Sequence, residues 1–287
     1  MKKILLIVSS TLLLANVTFA QDDADKKFRF GLRVSPTPTW LRSTDTKLVE
    51  KGGTKFGFGF GLQMEFRINS TASFVTGIGG DFLGGKQTYK NGQGYALNKD
   101  NQYVDSKDFD FAQGPALTYA SSLTSGNKLY ELKSRNVKAT YVTIPVLLKL
   151  MTKDISGFKY FGAFGGNIAI QTKFRATDEI SELKYDAVSN SYASTGSSTI
   201  TDMRPSGDLI PLNIGLNVGI GAEYNLSGST SVFLSINYLR GFINQYQGTS
   251  DIIVDKVVEN VNKSTAPTKS KQSAISDGVQ INVGILF

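Results

Sequence analysis

The sequence predicts an all-β fold: an eight-stranded antiparallel up-and-down transmembrane β-barrel with long extracellular loops. Three observations carry that expectation. Phe56 to Phe66 reads Phe-Gly-Phe-Gly-Phe-Gly-Leu-Gln-Met-Glu-Phe, large and apolar at every second position. A strand sends successive side chains to opposite faces, so one face is continuously apolar and the other small or polar. The stretch has the length, about 9–11 residues, that a tilted strand needs to cross a bilayer. Connections between such stretches alternate in length, and aromatic residues gather at the ends of the stretches. A barrel that crosses a membrane has short turns on one side, long loops on the other and an aromatic girdle at each interface.

Walking the chain with a period of two gives eight crossings, at 28–40, 56–66, 72–82, 137–150, 158–170, 212–224, 230–240 and 278–287. In the first, Phe28, Phe30, Leu32 and Val34 share one face, opposite Arg29, Gly31 and Arg33; Pro36 and Pro38 then remove ladder donors near its top. In the third, Phe74, Ile78 and Phe82 oppose Gly77, Gly79 and Asp81. The fourth alternates less cleanly, with Ile144, Val146 and Leu148 against Thr143, Pro145, Leu147 and Lys149. The sixth is regular, with Leu212, Ile214, Leu216, Val218 and Ile220 interleaved with Asn213, Gly215, Asn217 and Gly219. Short connections follow crossings two, four and six, and long ones rich in Ser, Thr, Asn and Gly follow one, three, five and seven. An even count of strands then leaves both termini on the short-turn side, which in an outer membrane is periplasmic. A soluble sandwich has no physical reason to sort its connections in this way.

The first twenty residues read as a signal peptide, leaving 21–287 as the barrel domain. Lys2 and Lys3 precede an apolar run from Ile4 to Ala15, and Thr18-Phe19-Ala20 supplies a cleavage site. No later run is apolar for the eighteen residues that a spanning helix requires. Without Lys2 and Lys3, 29 basic residues face 24 acidic ones. That scattered excess lacks the clustered footprint of a nucleic-acid binder. The closing strand ends on Phe287, which is read as a C-terminal assembly signal for the barrel assembly machinery during biogenesis.

The stretch Tyr141-Val142-Thr143-Ile144-Pro145-Val146-Leu147-Leu148-Lys149 resembles the Tyr-x-x-Ile-Pro-x-x-x-Lys motif of the PorT-like outer-membrane barrel family of Bacteroidota. The resemblance extends to the signal, the eight-strand layout and the terminal Phe. It implies a Gram-negative outer-membrane location and a tie to type IX secretion, and it carries no catalytic residue. Pro145 inside a spanning strand deletes one ladder donor, so it marks either a bulge or local bend that shapes the barrel wall, with Lys149 reaching into the lumen, or a tolerated irregularity without function.

Eight strands enclose a lumen just wide enough for side chains. By strand parity a polar cluster of Arg29, Arg33, Glu65, Asp81, Lys149 and Glu223 points into it. Charges in so narrow a space must be paired or hydrated. Glu65 and Glu223 are therefore expected to face Arg29, Arg33 or Lys149.

The chain has neither His nor Cys, which removes His-based nucleophilic catalysis and His or Cys metal sites. No cofactor is expected, and the reading is non-enzymatic. Asp100, Asp105, Asp108 and Asp110 lack the spacing of a calcium loop. In the last long loop Ile253, Val254, Val257, Val258 and Val261 leave two readings open, a short helical stripe and strands that prolong the wall, and β-branching favours the second. Three kinds of work stay open: an accessory or interaction protein with a protein partner in the outer membrane, a narrow pore for a small solute or ion, and a surface adhesin acting through its loops. In each the barrel wall meets outer-membrane lipid.

Overall fold

A computed structural model describes residues 27–90, 92–108, 127–186, 188–205, 208–263 and 268–287. The signal segment 1–20 lies outside the described residues. Twelve strands and one helix appear in chain order. They are β1 Phe28–Arg42, β2 Val49–Arg67, β3 Ala72–Tyr89, β4 Gly94–Leu97, β5 Lys128–Met151, β6 Phe158–Asp186, β7 Ser191–Met203, β8 Leu212–Ser227, β9 Thr230–Gly241, β10 Thr249–Asp255, α1 Val257–Lys263, β11 Thr268–Lys271 and β12 Ile275–Leu286.

Eight of the strands pair antiparallel in a closed cycle, β1-β2-β3-β5-β6-β8-β9-β12 and back to β1. Seven of the sequence-derived crossings fall within one of these eight, and the last, 278–287, runs one residue past the end of β12. The wall carries its apolar side outward: Leu32, Phe60, Ile78, Phe164, Ile220 and Ile236 are all more than half exposed, as side chains that meet hydrocarbon should be. Connections on one side are tight; β8 and β9 are joined by Gly228 and Ser229 alone, with Gly228 at φ 53°, the positive value that short hairpins demand. At this end the rings form an interrupted girdle, with Phe28 5.0 Å from Phe66, Phe66 6.4 Å from Phe74, and Phe158 4.7 Å from Tyr224.

β2, β3, β5 and β6 run much further than the bilayer requires, so their expected upper bounds were too short. β5 begins at Lys128 rather than 137, and β6 continues to Asp186 rather than ending at 170. Beyond Ile170 the ladder of β6 extends for roughly 50 Å of strand at about 3.3 Å per residue. Lipid is not what sustains it. Leu41, Tyr95, Leu97, Leu132, Tyr141, Phe174, Ile180 and Tyr246 pack on one another inside the extension, each nearly or fully buried. Three further strands complete this cap, in the order β11-β10-β4 against β5, and β7 lies along the outer edge of β6. Period-two counting of lipid-facing residues stops where the lipid stops, and the cap's faces follow a different rule.

Two local expectations are corrected. The valine-rich stretch is not strand throughout: Ile253 and Val254 belong to β10, whereas Val257, Val258 and Val261 lie on α1. Val257 and Val261, four residues apart on one helix face, pack with Ala96, Leu129 and Tyr192, and that packing outweighs β-branching. Pro145 makes no bulge. Pairing with β6 is continuous through Pro145↔Asn167, and the register to β3 is the same at Val75↔Leu147 and Gly79↔Thr143, although the rungs between are missing. Glycines absorb the irregularity on both neighbours. Gly77 and Gly165 have φ of 156° and 155°, and a Cβ on either would fall 2.1 Å from a backbone carbonyl oxygen of the adjoining strand.

Candidate functional site

The polar lumen is built in three levels. At the short-turn end Arg29 on β1 and Glu65 on β2 are direct cross-strand partners, both facing inward. Lys149 on β5 and Glu223 on β8 reach them from elsewhere in the ring. The Arg29 guanidinium lies 3.0 Å from Glu65 and also donates to both Glu223 oxygens, one of them at 3.1 Å. The Lys149 ammonium donates to Glu65 at 3.0 Å and to Glu223 at 2.9 Å. The result is a neutral ring of alternating sign, with every member nearly inaccessible to solvent. Lys149 also stands 4.4 Å from the Phe161 ring centroid, a favourable placement for a desolvated cation. An apolar layer of Met151, Phe161, Phe233 and Leu286 packs beside it.

Arg33 and Asp81 do not join this quartet. Arg33 donates to Ser35 Oγ at 2.9 Å and to Asn282 Oδ1 at 3.1 Å. From Asn282 a chain of amides crosses the lumen: Asn282 donates to Asn237 at 3.0 Å, Asn237 to Asn217 at 2.8 Å, and Asn217 to Asn167 at 3.0 Å. Asp81 is buried over Gly59, where a Cβ would lie 2.1 Å from its Oδ1, and no cation lies within ion-pair distance of it among the described residues. Two cavities of about 40 and 50 Å³ flank this level, and both touch Asn167 and Gln280. Spaces of that size hold a few waters; they are too small for a solute.

The third level, inside the cap, lies beyond the bounds of the crossings read from the sequence. Arg135 on β5 grips Asp178 on β6 with two parallel hydrogen bonds of 2.7 Å, and both side chains are fully buried. Tyr95 and Tyr103 donate to the same Asp178 oxygen at 2.9 and 3.0 Å, and Arg135 donates to the Tyr103 hydroxyl at 2.8 Å. Burial pushes both tyrosine hydroxyls well above their ordinary range, and the Asp178 carboxylate adds to the shift. For Arg135, burial favours the neutral form, but Asp178, Tyr103 and Tyr89 outweigh it and hold the charge firmly. The parity of Arg135 with Val137, Ala139 and Tyr141 on one strand could have revealed it, had the strand been carried past 137.

Phe287 continues the closing ladder, exchanging backbone hydrogen bonds with Phe30 while their rings sit 5.7 Å apart. Of the loop acids, Asp105 pairs with Lys107 at 3.0 Å, and Asp110 lies outside the described residues. Among the described residues no three His, Cys, Asp or Glu side chains form a group that could hold a metal ion.

A closed ring with an apolar exterior and a lumen of paired charges and amides defines a transmembrane β-barrel protein. The sequence matches the family described as outer membrane protein beta-barrel domain over residues 19–247. The chain belongs to that family, and its place is the outer membrane. Among solved structures it is similar to the Neisserial surface protein A, at 10% identity with a TM-score of 0.38, covering 91% of this chain and 97% of that one. It is also similar to the outer membrane protein OprG from Pseudomonas aeruginosa, at 11% identity and a TM-score of 0.38, covering 93% and 99%. Ail, the attachment invasion locus protein of Yersinia pestis, aligns at 10% identity and a TM-score of 0.29, covering 91% and 100%. At that distance nothing of their activities carries over. No curated protein matches the chain.

Proposed function

We propose that this protein is a non-enzymatic, non-conducting barrel that works as an accessory or interaction component of the outer membrane, holding out its cap as a platform for a protein partner. The observation that carries the reading is the contrast between a filled interior and an open edge. Among the described residues, the paired quartet and the amide chain fill the lumen of the ring and leave beside the amides only cavities of about 40 and 50 Å³. Outside, among the described residues, β7 pairs only with β6 and ends the sheet, with most of Ser191–Met203 exposed. An unpaired strand edge is a template for an incoming strand, which can add to it through backbone hydrogen bonds. In this reading the termini are periplasmic, the cap faces outward, and Phe287 serves assembly. A tie to type IX secretion rests on the motif around Pro145 alone.

Crosslinking in native outer membranes tests the proposal. The folded wild type should yield a stable adduct through the cap. Ser197→Lys combined with Thr199→Lys, which blunts the edge with charge, should lower the yield about tenfold. Equal yield from both proteins would remove β7 as the docking edge.

A further inference from the structure

We infer that the outer wall, at the junction of barrel and cap, holds a binding site for the phosphorylated headgroup of a membrane lipid. The site is a groove of about 580 Å³ between β2, β3, β5 and β6. Its upper part is lined by Lys55, Lys138, Lys173 and Arg175, and its lower part by Phe56 and Phe82, which are 78% and 46% exposed. A row of cations directly above lipid-facing rings matches a molecule whose phosphate sits at the interface and whose acyl chains run down the wall.

The cluster is created by a specific irregularity. Along β6 the outward residues are even-numbered up to Ile170, and Phe174 and Ala176 would continue that series. A register shift at Thr140/Tyr141 inserts one residue at Thr172, whose hydroxyl donates to the Thr140 carbonyl at 3.2 Å. Beyond it the faces exchange: Phe174 and Ala176 turn into the cap core, while Lys173 and Arg175 turn out. Bulges re-aim side chains in this way. β2 also changes register against β3 at this level, between Gly53 and Phe58.

Electrostatics separate a binding site from a hydrated face. Lys138 and Arg175 are direct cross-strand partners, and like charges so placed repel. Lys138 is flanked on its other side by Gly84, which also lines the groove and where a Cβ would lie 2.4 Å from the Val137 carbonyl oxygen. Among the lining residues there is no acid. Arg175 is met by Asp202 at 2.7 Å, whereas Lys55, Lys138 and Lys173 have no ion pair among the described residues. Three uncompensated positive charges therefore surround an open groove at a membrane interface, where anionic headgroups are attracted to each Lys or Arg about fivefold.

The test uses the full barrel in nanodiscs of phosphatidylcholine containing a small fraction of phosphatidic acid, with bound lipid counted by native mass spectrometry. The wild type should retain phosphatidic acid over phosphatidylcholine. Lys55→Gln, Lys138→Gln and Lys173→Gln together should reduce that enrichment by about a hundredfold, three lysines at about fivefold each. Lys153→Gln with Lys159→Gln, at the opposite end of the barrel, should leave it unchanged. Lys138→Glu alone, which turns the repelling pair with Arg175 into an attractive one, guards against misfolding: it should raise the lipid-free melting temperature and still lose lipid. Undiminished enrichment in the triple variant would overturn the proposal. So would equal loss in the Lys153/Lys159 control, and so would displacement of the lipid by inorganic phosphate at equal concentration.

Discussion

The quartet at the short-turn end is where a single atom change has the largest expected effect. Removing one member of a buried, fully paired set leaves a charge without compensation, a loss of about 3–5 kcal/mol. Glu65→Gln should therefore lower the unfolding midpoint in urea sharply, while Glu65→Gln with Lys149→Met, which removes one charge of each sign, should recover part of the loss. Arg33, although buried in the same lumen, contacts Ser35 and Asn282; reading the residues by parity placed it inward without showing that the amides would claim it first. In the cap, Tyr95 and Tyr103 set the alkaline limit. Their folded hydroxyls hold protons more tightly than the unfolded ones, which ionise near pH 10. Above that pH the unfolded chain has released protons that the fold retains, so this contribution is complete below about pH 10 and declines as pH rises further. Tyrosinate absorbance should therefore appear together with loss of the cap, after the exposed tyrosines have titrated.

Strands show how far a pattern can be followed. The sixth crossing alternates because one face meets hydrocarbon and the other meets amides, and the faces are as different as the sequence implies. Leu216→Arg, on the lipid face, should cost about 2–4 kcal/mol near the bilayer centre, measured by reversible unfolding in lipid vesicles. On the lumen face Asn217→Arg would be gentler only if there were space for the longer side chain. There is little: Asn217 is buried, bonded to Asn167 and Asn237, and bordered by the 40 Å³ cavity. Asn217→Arg should accordingly destabilise as much as Leu216→Arg, and Asn217→Ala by about 1–3 kcal/mol for the amide partners left unsatisfied. All eight crossings were legible because lipid enforces a strict period. β4, β7, β11 and α1 were not, and of β10 only Ile253 and Val254 were read as strand, because a cap core drawn from several short segments imposes no common repeat. Arg135 and Asp178 went unseen because the fourth and fifth crossings were bounded at 137 and 170, short of both residues. They meet from strands whose extensions carry charged residues on the outside and tyrosines within.

Viewed as one body, the barrel is a stopper with a handle. The closed ring holds the charges, and β5 and β6 pass without interruption from ring to cap. Planar-bilayer recordings of the wild type should show no steady conductance. A conductance that Glu65→Gln abolishes would contradict the sealed lumen and restore the pore reading. Deleting residues 191–203 should leave the ring folded, by heat-dependent gel mobility, while removing the proposed docking edge.

The spacing of the quartet around the circumference has a consequence for biogenesis. Arg29 and Glu65 neutralise each other on neighbouring strands, but Lys149 and Glu223 come from β5 and β8, with β6 between them. While the sheet is still flat these two stand apart, each a bare ion beside acyl chains. Only curling brings all four to one point. A ring with the wrong number of staves, or one slid by a single rung, would keep that penalty, so the salt cluster acts as a proofreader of its own enclosure.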